Sequence, residues 1–130
     1  MKEILGFTAG NFDLLHPGHI SILERAKARG DFLIVGVSSD ELNFKKKAQA
    51  AFYNQETRMA MVLALKCVDE VFLEKSLEKK QEYIREKSAD VLVMGDDWLG
   101  RFDHLKDCAV VYLPRTKGIS TTSIKRYFSS

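Results

Sequence analysis

Residues 10–19 read Gly10-Asn11-Phe12-Asp13-Leu14-Leu15-His16-Pro17-Gly18-His19 and stand between two segments of different periodicity. Ile4–Ala9 is a short apolar run that predicts a buried strand, whereas Ile20–Arg29 has apolar residues at helical spacing. Gly10 begins a turn, so both histidines fall where a strand passes into a helix. This strand-to-helix junction predicts the first unit of an alternating α/β fold.

The junction has the features of a phosphate-binding site. The first amides of a helix have no intrahelical partner and carry partial positive charge, which attracts anions. Two imidazoles around Gly18 add hydrogen-bond donors without filling the space, so the segment predicts a site for a triphosphate. A simpler interpretation is that His16 caps the helix and His19 is an ordinary surface histidine. One histidine alone would favour that interpretation, whereas His-Pro-Gly-His at this junction favours the phosphate site.

Further apolar runs of strand length recur along the chain, and helix-like segments separate most of them. After Ile4–Ala9 the runs are Phe32–Ser38, Val68–Leu73, Val91–Met94 and Val110–Leu113. Continuous Val, Ile and Leu suit strands covered on both faces, and right-handed crossovers place helices on each side. The sequence predicts a single-domain, Rossmann-like, doubly wound sheet of about five parallel strands over residues 1–130. The Gly-x-Gly-x-x-Gly fingerprint of dinucleotide-binding folds and the Walker lysine motif are both missing.

Local signals predict where the helices begin and end. Gly30 is expected to be the C′ glycine of the first helix, and Asn54 and Ser76 are expected to cap later helices that end near residues 66 and 87. A last short helix is expected from Ser120 or Thr121. Residues 43–52 show no clear period and hold three consecutive lysines, so we expect a mobile surface loop there.

Composition narrows the class of protein. The 130 residues are 45% hydrophobic, enough for one domain with a real core, and the formal net charge of +2 argues against a nucleic-acid or anionic-membrane partner. No apolar stretch is long enough to span a bilayer or to form a signal peptide, so a cytoplasmic location is expected. Cys67 and Cys108 are far apart and predict neither a disulfide nor a zinc site.

A second candidate anion site follows the last predicted strand. It reads Arg115-Thr116-Lys117-Gly118-Ile119-Ser120-Thr121-Thr122 and combines a guanidinium, a turn glycine, hydroxyls and a helix start. Arginine can hold phosphate oxygens in a bidentate way. A well-capped terminal helix is the simpler alternative, but it would leave the Arg-Thr-x-Gly segment without a role.

The loop after the fourth predicted strand, Gly95-Asp96-Asp97-Trp98, is expected to border the same crevice. Its carboxylates are suited to bind ribose hydroxyls or a metal. Trp98 is expected to cover the core rather than stack on a base. The basic run at 45–47 is expected to close over a substrate phosphate or, more simply, to be a solvated surface.

Four segments together resemble the bacterial glycerol-3-phosphate cytidylyltransferases, and the likeness spans nearly the whole chain. They are residues 10–19, 68–71, 94–103 and 115–122. His-x-Gly-His is shared by a broad nucleotidyltransferase superfamily, whereas Arg-Thr-x-Gly-Ile-Ser-Thr-Thr resembles cytidylyltransferases of alcohol phosphates. The resemblance implies a homodimeric enzyme that joins CTP and sn-glycerol 3-phosphate, with Mg²⁺ carried by the CTP phosphates. Its product, CDP-glycerol, would supply teichoic-acid-type polymers.

The resemblance also implies roles for individual residues. The expected catalytic residues are His16, His19, Lys46 and Arg115, and the expected glycerol-phosphate ligands are Lys46 and Lys80. The expected CTP-binding residues are Asn11, Phe12, His16, Pro17, Gly18, His19, Lys47, Asp97, Arg115, Thr116, Lys117, Gly118, Ile119, Ser120, Thr121 and Thr122. No protein ligand to a metal is expected.

The chain departs from the pattern of that family at two single positions and at one pair of neighbouring residues. Asn11 stands where threonine is usual, Pro17 where tryptophan is frequent, and Lys66-Cys67 where Arg-Tyr is usual. Lysine lacks the fixed fork of a guanidinium, so contacts made by arginine at position 66, near the dimer contact, would change. Three alternatives stay open: transfer to phosphocholine or phosphoethanolamine, an adenylyltransferase of the same superfamily, and a nucleotide-binding protein with little turnover.

Overall fold

A computed structural model describes residues 3–47 and 51–114, which form parallel strands, α-helices and one short 3₁₀ turn. The strands are β1 (Leu5–Gly10), β2 (Phe32–Ser38), β3 (Glu70–Glu74), β4 (Val91–Gly95) and β5 (Ala109–Leu113). The helices are α1 (Pro17–Lys27), α2 (Asp40–Lys47), α3 (Gln55–Leu63) and α4 (Lys80–Lys87), and the 3₁₀ turn covers Asp96–Trp98.

The five strands form one sheet in the order β3-β2-β1-β4-β5, and every pairing is parallel. β1 is central, with Leu5 opposite Phe32 of β2 and Gly6 opposite Val91 of β4. The strand order reverses between β1 and β4, which is where sheets of this kind bind ligands. The predicted Rossmann-like sheet is confirmed. The extent of the domain over residues 1–130 stays a prediction, because 115–130 lie outside the described residues.

Helices cover both faces of the sheet, as the continuous apolar strands predict. One core contains Leu23 of α1 and Val62 of α3 together with Val35 of β2. The other contains Ile84 of α4 and Phe7 of β1. Each buried aliphatic or aromatic side chain contributes about 1.5–3 kcal/mol, so both layers are needed for stability. In the described part of the chain, no helix has the length and apolar character needed to cross a membrane.

Gly30 has a different role from the predicted one. α1 ends at Lys27 with Ala28 as its C-cap, and Gly30 does not have the left-handed backbone of a C′ glycine. A Cβ atom at this position would lie 2.7 Å from the carbonyl oxygen of Ile4. Glycine is therefore required because the chain passes close to the segment that enters β1, not because a helix ends there.

The prediction that Ser76 caps a helix is wrong. Oγ of Ser76 accepts a hydrogen bond from the backbone N–H of Glu78 at 3.2 Å in a turn, and α4 begins only at Lys80. The burial of Lys80 against Glu74, and not a side-chain cap, marks the start of this helix. Asn54 does cap α3, as predicted, with Oδ1 accepting from the N–H of Thr57 at 2.9 Å. That helix ends at Leu63, before the predicted residue 66.

The mobile loop predicted for residues 43–52 is also wrong in its first half, because α2 extends to Lys47. Oγ of Ser39 accepts from the N–H of Leu42 at 3.0 Å, which is an N-cap bond. Asp40 and Glu41 lie at the positive end of the helix dipole. The sequence gives little sign of this helix because, among residues 40–45, the buried side chains are Leu42 and Asn43, and one apolar residue is too little to give a periodic signal.

Candidate active site

The loop after β1 carries the predicted phosphate-binding residues at the carboxyl edge of the sheet. Phe12 and Leu14 have φ angles of 52° and 49°, in the left-handed region that residues other than glycine rarely adopt. Such conformations cluster at functional sites and persist only where the surrounding structure holds them. The loop therefore depends on anchors outside itself.

Asp13 is the first anchor. Its side chain is buried, and its carboxylate accepts hydrogen bonds from the backbone N–H groups of Phe52 (2.7 Å) and Tyr53 (3.0 Å). Hydrogen bonds to an ionised acceptor are roughly twice as strong as neutral ones. Asp13 thus ties the left-handed loop to the segment that leads into α3.

Arg58 of α3 is the second anchor, and its side chain has no solvent exposure. Its Nε donates to the carbonyl oxygen of Tyr53 at 3.0 Å, and its Nη1 donates to the carbonyl oxygens of Ser38 at 2.7 Å and Asn11 at 3.0 Å. Its Nη2 pairs with the carboxylate of Asp40 at 2.7 Å. One planar fork therefore joins the ends of β1 and β2, the start of α2 and the approach to α3. We call these five residues the Arg58 cluster.

Asn11 places a side-chain amide inside this cluster where threonine is usual in the family that the sequence resembles. Its Oδ1 accepts hydrogen bonds from Nη1 of Arg58 at 3.3 Å and from Nδ2 of Asn43. A threonine hydroxyl is also an acceptor, so asparagine preserves the polarity that the guanidinium requires. The amide differs from threonine by adding an NH₂ group beside the loop.

The two histidines form a reciprocal cap at the start of α1. Nδ1 of His16 accepts from the backbone N–H of Gly18 at 3.0 Å, and Nδ1 of His19 accepts from the backbone N–H of His16 at 3.3 Å. Their rings stack with centroids 3.8 Å apart. Pro17 occupies the first helical position, where an N–H has no intrahelical partner. The interpretation of His16 as a cap is therefore correct, whereas His19 is a partner in that cap and not an ordinary surface histidine.

The caps determine the tautomer of both imidazoles. A ring nitrogen that accepts a hydrogen bond carries no proton, so the proton of each neutral ring lies on Nε2. Burial lowers the pKa of His16 below its usual value, which favours the neutral ring at physiological pH. In each histidine, Nδ1 thus caps the start of α1, while Nε2–H is left as a donor of the kind that a phosphoryl oxygen accepts.

The loop after β4 lies at the same edge of the sheet, because β4 pairs with β1. Asp97 is exposed in the 3₁₀ turn that follows β4, next to the point where the strand order reverses. Trp98 packs on Phe102 with ring centroids 5.4 Å apart, which confirms its predicted place over the core. Within residues 3–47 and 51–114, no group of three or more His, Cys, Asp or Glu is placed to hold a metal.

Lys80, predicted to bind the acceptor phosphate, is buried at the first position of α4. Its ammonium pairs with the carboxylate of Glu74 and lies over the rings of Phe7 at 5.6 Å and Phe102 at 5.4 Å. Burial lowers the pKa of Lys80 against the opposing effect of the Glu74 carboxylate, which raises it. A phosphate would have to compete with Glu74 for this ammonium, so the role of Lys80 stays a prediction.

The structure brings only part of the predicted site together. The residues placed at the adjoining ends of β1 and β4 are Asn11, Phe12, His16, Pro17, Gly18, His19 and Asp97. Lys46 and Lys47 are the last two residues of α2, but their side chains are not described. Arg115 and the whole predicted segment to Thr122, with the short helix expected from Ser120 or Thr121, lie outside the described residues.

The sequence patterns did not predict a place in the site for Asp13, Arg58 or Asn43. The position of Arg58 could have indicated a buried cation, because it lies four residues before the buried Val62 and so falls on the apolar face of α3. A cation on such a face requires partners. Asp13 gives a weaker indication as a carboxylate among apolar neighbours. Nothing local marks Asn43, since its burial depends on how α2 lies against the ends of β1 and β2.

Comparison with known proteins gives a consistent family relationship. The cytidylyltransferase-like family matches residues 7–127. The chain is 53% identical to a glycerol-3-phosphate cytidylyltransferase of Bacillus subtilis (strain 168), covering 96% of this chain and 95% of that protein. It is 47% identical to proteins of the same name from Bacillus spizizenii, over 100% of this chain and 99% of that one, and from Staphylococcus aureus, over 97% and 94%.

Solved structures support the fold at lower identity. A lipopolysaccharide core biosynthesis protein from Thermoplasma volcanium superposes with a TM-score of 0.74 at 22% identity, covering 89% of this chain and 100% of that one. A pantoate-beta-alanine ligase from Francisella tularensis, in complex with beta-gamma ATP and beta-alanine, gives 0.62 at 17% identity over 98% and 69%. At such identities the likeness concerns the fold alone.

Proposed function

This chain belongs to the cytidylyltransferase-like family, and on that premise we propose that it transfers the cytidylyl group of CTP to glycerol 3-phosphate. The products are CDP-glycerol and pyrophosphate. The observation that carries the proposal is the histidine pair at the start of α1, where both Nδ1 atoms accept backbone hydrogen bonds and both rings become Nε2–H donors. The identity of the two substrates is inferred from the relatives, which are named glycerol-3-phosphate cytidylyltransferases.

The reaction needs no covalent enzyme intermediate. An oxygen of the acceptor phosphate attacks the α-phosphorus of CTP, a new P–O bond forms, and the bond from the α-phosphorus to the bridging oxygen breaks with its electron pair leaving on pyrophosphate. A phosphate monoester is already a nucleophile at neutral pH, so the protein has to position the two substrates and stabilise the developing charge. Preorganised N–H donors suit that task because they do not have to reorient during the reaction.

His16 and His19 are proposed to donate to the non-bridging oxygens of the α-phosphate, with the helix start of α1 adding backbone N–H groups. Lys46, Lys47, Lys80 and Arg115 are proposed to neutralise the acceptor phosphate and the CTP phosphates. Asp97 and residues 116–122 are proposed to complete the nucleotide site. Mg²⁺ would be held by the phosphates of CTP and would neutralise the charge on the leaving group.

The proposal includes three expectations that rest on the family resemblance. The enzyme acts as a homodimer in the cytoplasm, and its product supplies teichoic-acid-type polymers. A dimer would require the exposed Lys66 to make contacts different from those of the arginine that is usual there.

The proposal is tested by a pyrophosphate-release screen that crosses four nucleoside triphosphates with several alcohol phosphates. We expect release only with CTP and glycerol 3-phosphate together. Activity with phosphocholine or phosphoethanolamine would move the protein to a sister branch, a strong preference for ATP would make it an adenylyltransferase, and binding of CTP without turnover would contradict catalysis.

Variants of the two histidines at the start of α1 test whether these side chains take part in catalysis. His16→Ala and His19→Ala should each lower kcat by roughly 100- to 1,000-fold, the usual effect of losing one donor to a developing oxyanion. Loss of a cap should lower the free energy of unfolding by only about 1 kcal/mol. His104→Ala is the matched control, because His104 is exposed and lies outside the site. Equal losses of folding and turnover would contradict the role in catalysis.

A further inference from the structure

The side-chain carbonyl of Asn43 has no hydrogen-bond partner among the described residues, although it is buried. The residue is 1% exposed, so water does not satisfy this oxygen from outside. An unsatisfied buried acceptor is destabilising, and buried polar groups in native proteins are nearly always paired. The position of this oxygen in the fold therefore calls for a partner that the described residues do not supply.

The orientation of the Asn43 amide is fixed by its neighbours. A guanidinium has no acceptor, so the atom of Asn11 that faces Nη1 of Arg58 has to be the oxygen Oδ1. The atom of Asn43 that contacts this same oxygen has to be the nitrogen Nδ2. A flip of the Asn43 amide would bring two oxygens together. The donor groups of Arg58 thus determine the orientation of the Asn11 amide, and the Asn11 oxygen determines the orientation of the Asn43 amide. The remaining side-chain atom of Asn43 is therefore the oxygen Oδ1, which can only accept a hydrogen bond.

Asn43 also lies on the side of the histidine loop where an acceptor substrate belongs. Apart from Lys47, the residues expected to bind CTP follow β1, β4 and β5, whereas α2 follows β2 on the other side of β1. In-line displacement places the attacking oxygen opposite the leaving pyrophosphate. The acceptor would therefore approach from the β2 side. Residues 46 and 47 lie three and four positions beyond Asn43 on the same helix.

The proposed substrate decides which kind of donor the oxygen takes. An amide oxygen accepts from a hydroxyl or from an ammonium group. The guanidinium of Arg58 and the ammonium of Lys45 are each paired with a carboxylate, of Asp40 and Glu41 respectively, so these charges are balanced. The acceptor of the proposed reaction is an anion that carries hydroxyls and no ammonium group, so a hydroxyl is the donor that it offers.

We propose that Oδ1 of Asn43 accepts a hydrogen bond from a hydroxyl group of the alcohol phosphate and thereby selects polyol phosphates as acceptors. This inference rests on the proposed function. Asn11, the partner of Asn43, is partly exposed, so the hydroxyl would reach Oδ1 alongside Asn11 through a shift of the Asn43 side chain or of α2. Asn43 then acts through substrate binding, and its loss affects KM more than kcat.

The test compares glycerol 3-phosphate with propyl phosphate, which has the same carbon chain and no hydroxyl. In the wild-type protein, we expect glycerol 3-phosphate to have a KM roughly 10- to 100-fold lower, as expected for a hydrogen bond to a buried polar group. Asn43→Leu should raise the KM for glycerol 3-phosphate by a similar factor and leave the KM values for propyl phosphate and CTP unchanged. Asn43→Ala serves in the same way if leucine prevents folding.

The matched control is Asn54→Leu, which removes an asparagine that caps α3 and should destabilise the fold without changing acceptor preference. Equal KM changes for both phosphates would overturn the inference, because they would make Asn43 structural. A change confined to CTP would assign the hydroxyl to the ribose, and no change at all would assign the oxygen to a buried water; both outcomes also overturn it.

A binding measurement separates this inference from the proposed function. Calorimetric Kd values for the same two phosphates are measured on wild type and Asn43→Leu. If the wild type releases no pyrophosphate but prefers glycerol 3-phosphate in a manner that depends on Asn43, the proposed activity fails and the inference stands. If turnover occurs and the wild type does not distinguish the two phosphates, the inference fails and the activity stands.

Discussion

Arg58 and Lys80 are both buried cations, but the fold holds them by different means. All three guanidinium nitrogens of Arg58 donate hydrogen bonds, mostly to backbone carbonyl oxygens, and one pairs with Asp40. The ammonium of Lys80 makes one hydrogen bond within the described residues, to Glu74, and otherwise faces the aromatic rings of Phe7 and Phe102.

The difference separates a cation that holds the site together from a cation that can exchange its carboxylate partner for a substrate phosphate. The planar fork of Arg58 fixes several chain segments at once, so moving it would disorganise the loop that carries the histidines. Lys80 is a point charge on a flexible stem with one ionic partner, and a phosphate dianion could replace that partner. We expect the first cation to be structural and the second to bind substrate.

The largest effect is expected for Arg58→Met. Removing the guanidinium takes its donors away from several buried carbonyl oxygens and breaks the ion pair with the half-exposed Asp40. At about 1–3 kcal/mol for each buried acceptor that loses its donor, we expect a total loss of about 3–5 kcal/mol. Arg58→Lys should recover only part of the loss, because one ammonium cannot span these acceptors. Denaturant titration measures the free energy of unfolding.

Arg85→Met is the control for that experiment. Arg85 pairs with Asp107 at 2.9 Å, but both side chains are more than half exposed. Such a bridge contributes about 0–1 kcal/mol. Similar losses for Arg58→Met and Arg85→Met would show that the Arg58 cluster does not organise the fold.

A smaller effect is expected for the Lys80–Glu74 pair, and here the single and double variants differ. Glu74→Leu leaves a buried ammonium unpaired and should lower the free energy of unfolding by about 2–3 kcal/mol, since the cation can release its proton. Glu74→Leu combined with Lys80→Met should lie within about 1 kcal/mol of the wild type. A double variant as unstable as Glu74→Leu would show that the pair itself is needed for packing.

Lys80→Met completes the comparison by measuring substrate binding. If Lys80 binds the acceptor, this variant should raise the KM for glycerol 3-phosphate roughly tenfold or more and leave the KM for CTP unchanged. An unchanged KM for the acceptor would reduce Lys80 to a structural cation like Arg58.

The smallest effect concerns the pH dependence of stability and His16, because burial disfavours the charged form of its imidazole. Because burial lowers its pKa in the folded protein, the unfolded chain binds more protons below about pH 6.5, and stability falls as the pH decreases through that range. His16→Asn keeps an acceptor at the cap and does not titrate. Its stability should therefore fall less than that of the wild type between pH 7.5 and 5.5, whereas His104→Asn should follow the wild type. The same loss in His16→Asn and wild type would contradict this role of burial.

The sequence predicted the positions of the five strands to within about two residues, because runs of apolar side chains depend only on local burial. It also predicted the histidine loop and its place at the sheet edge, since parallel strands end at the same edge. It failed for Gly30 and Ser76, where a close approach to Ile4 and the burial of Lys80 decide the local structure. Such contacts join residues that are distant in the chain, and no local pattern reports them.

The sequence by itself determined the alternating fold and the chemical type of the phosphate loop, because both follow from periodicity and residue type. The tertiary structure decided which nitrogen of each histidine carries the proton, because the caps of α1 occupy Nδ1. It also decided that Arg58 is buried among carbonyl oxygens and that the side-chain carbonyl of Asn43 has no partner within residues 3–47 and 51–114. The physical reason is that the donors of Arg58 orient the amide of Asn11, and Asn11 orients the amide of Asn43, although these three residues are far apart in the chain.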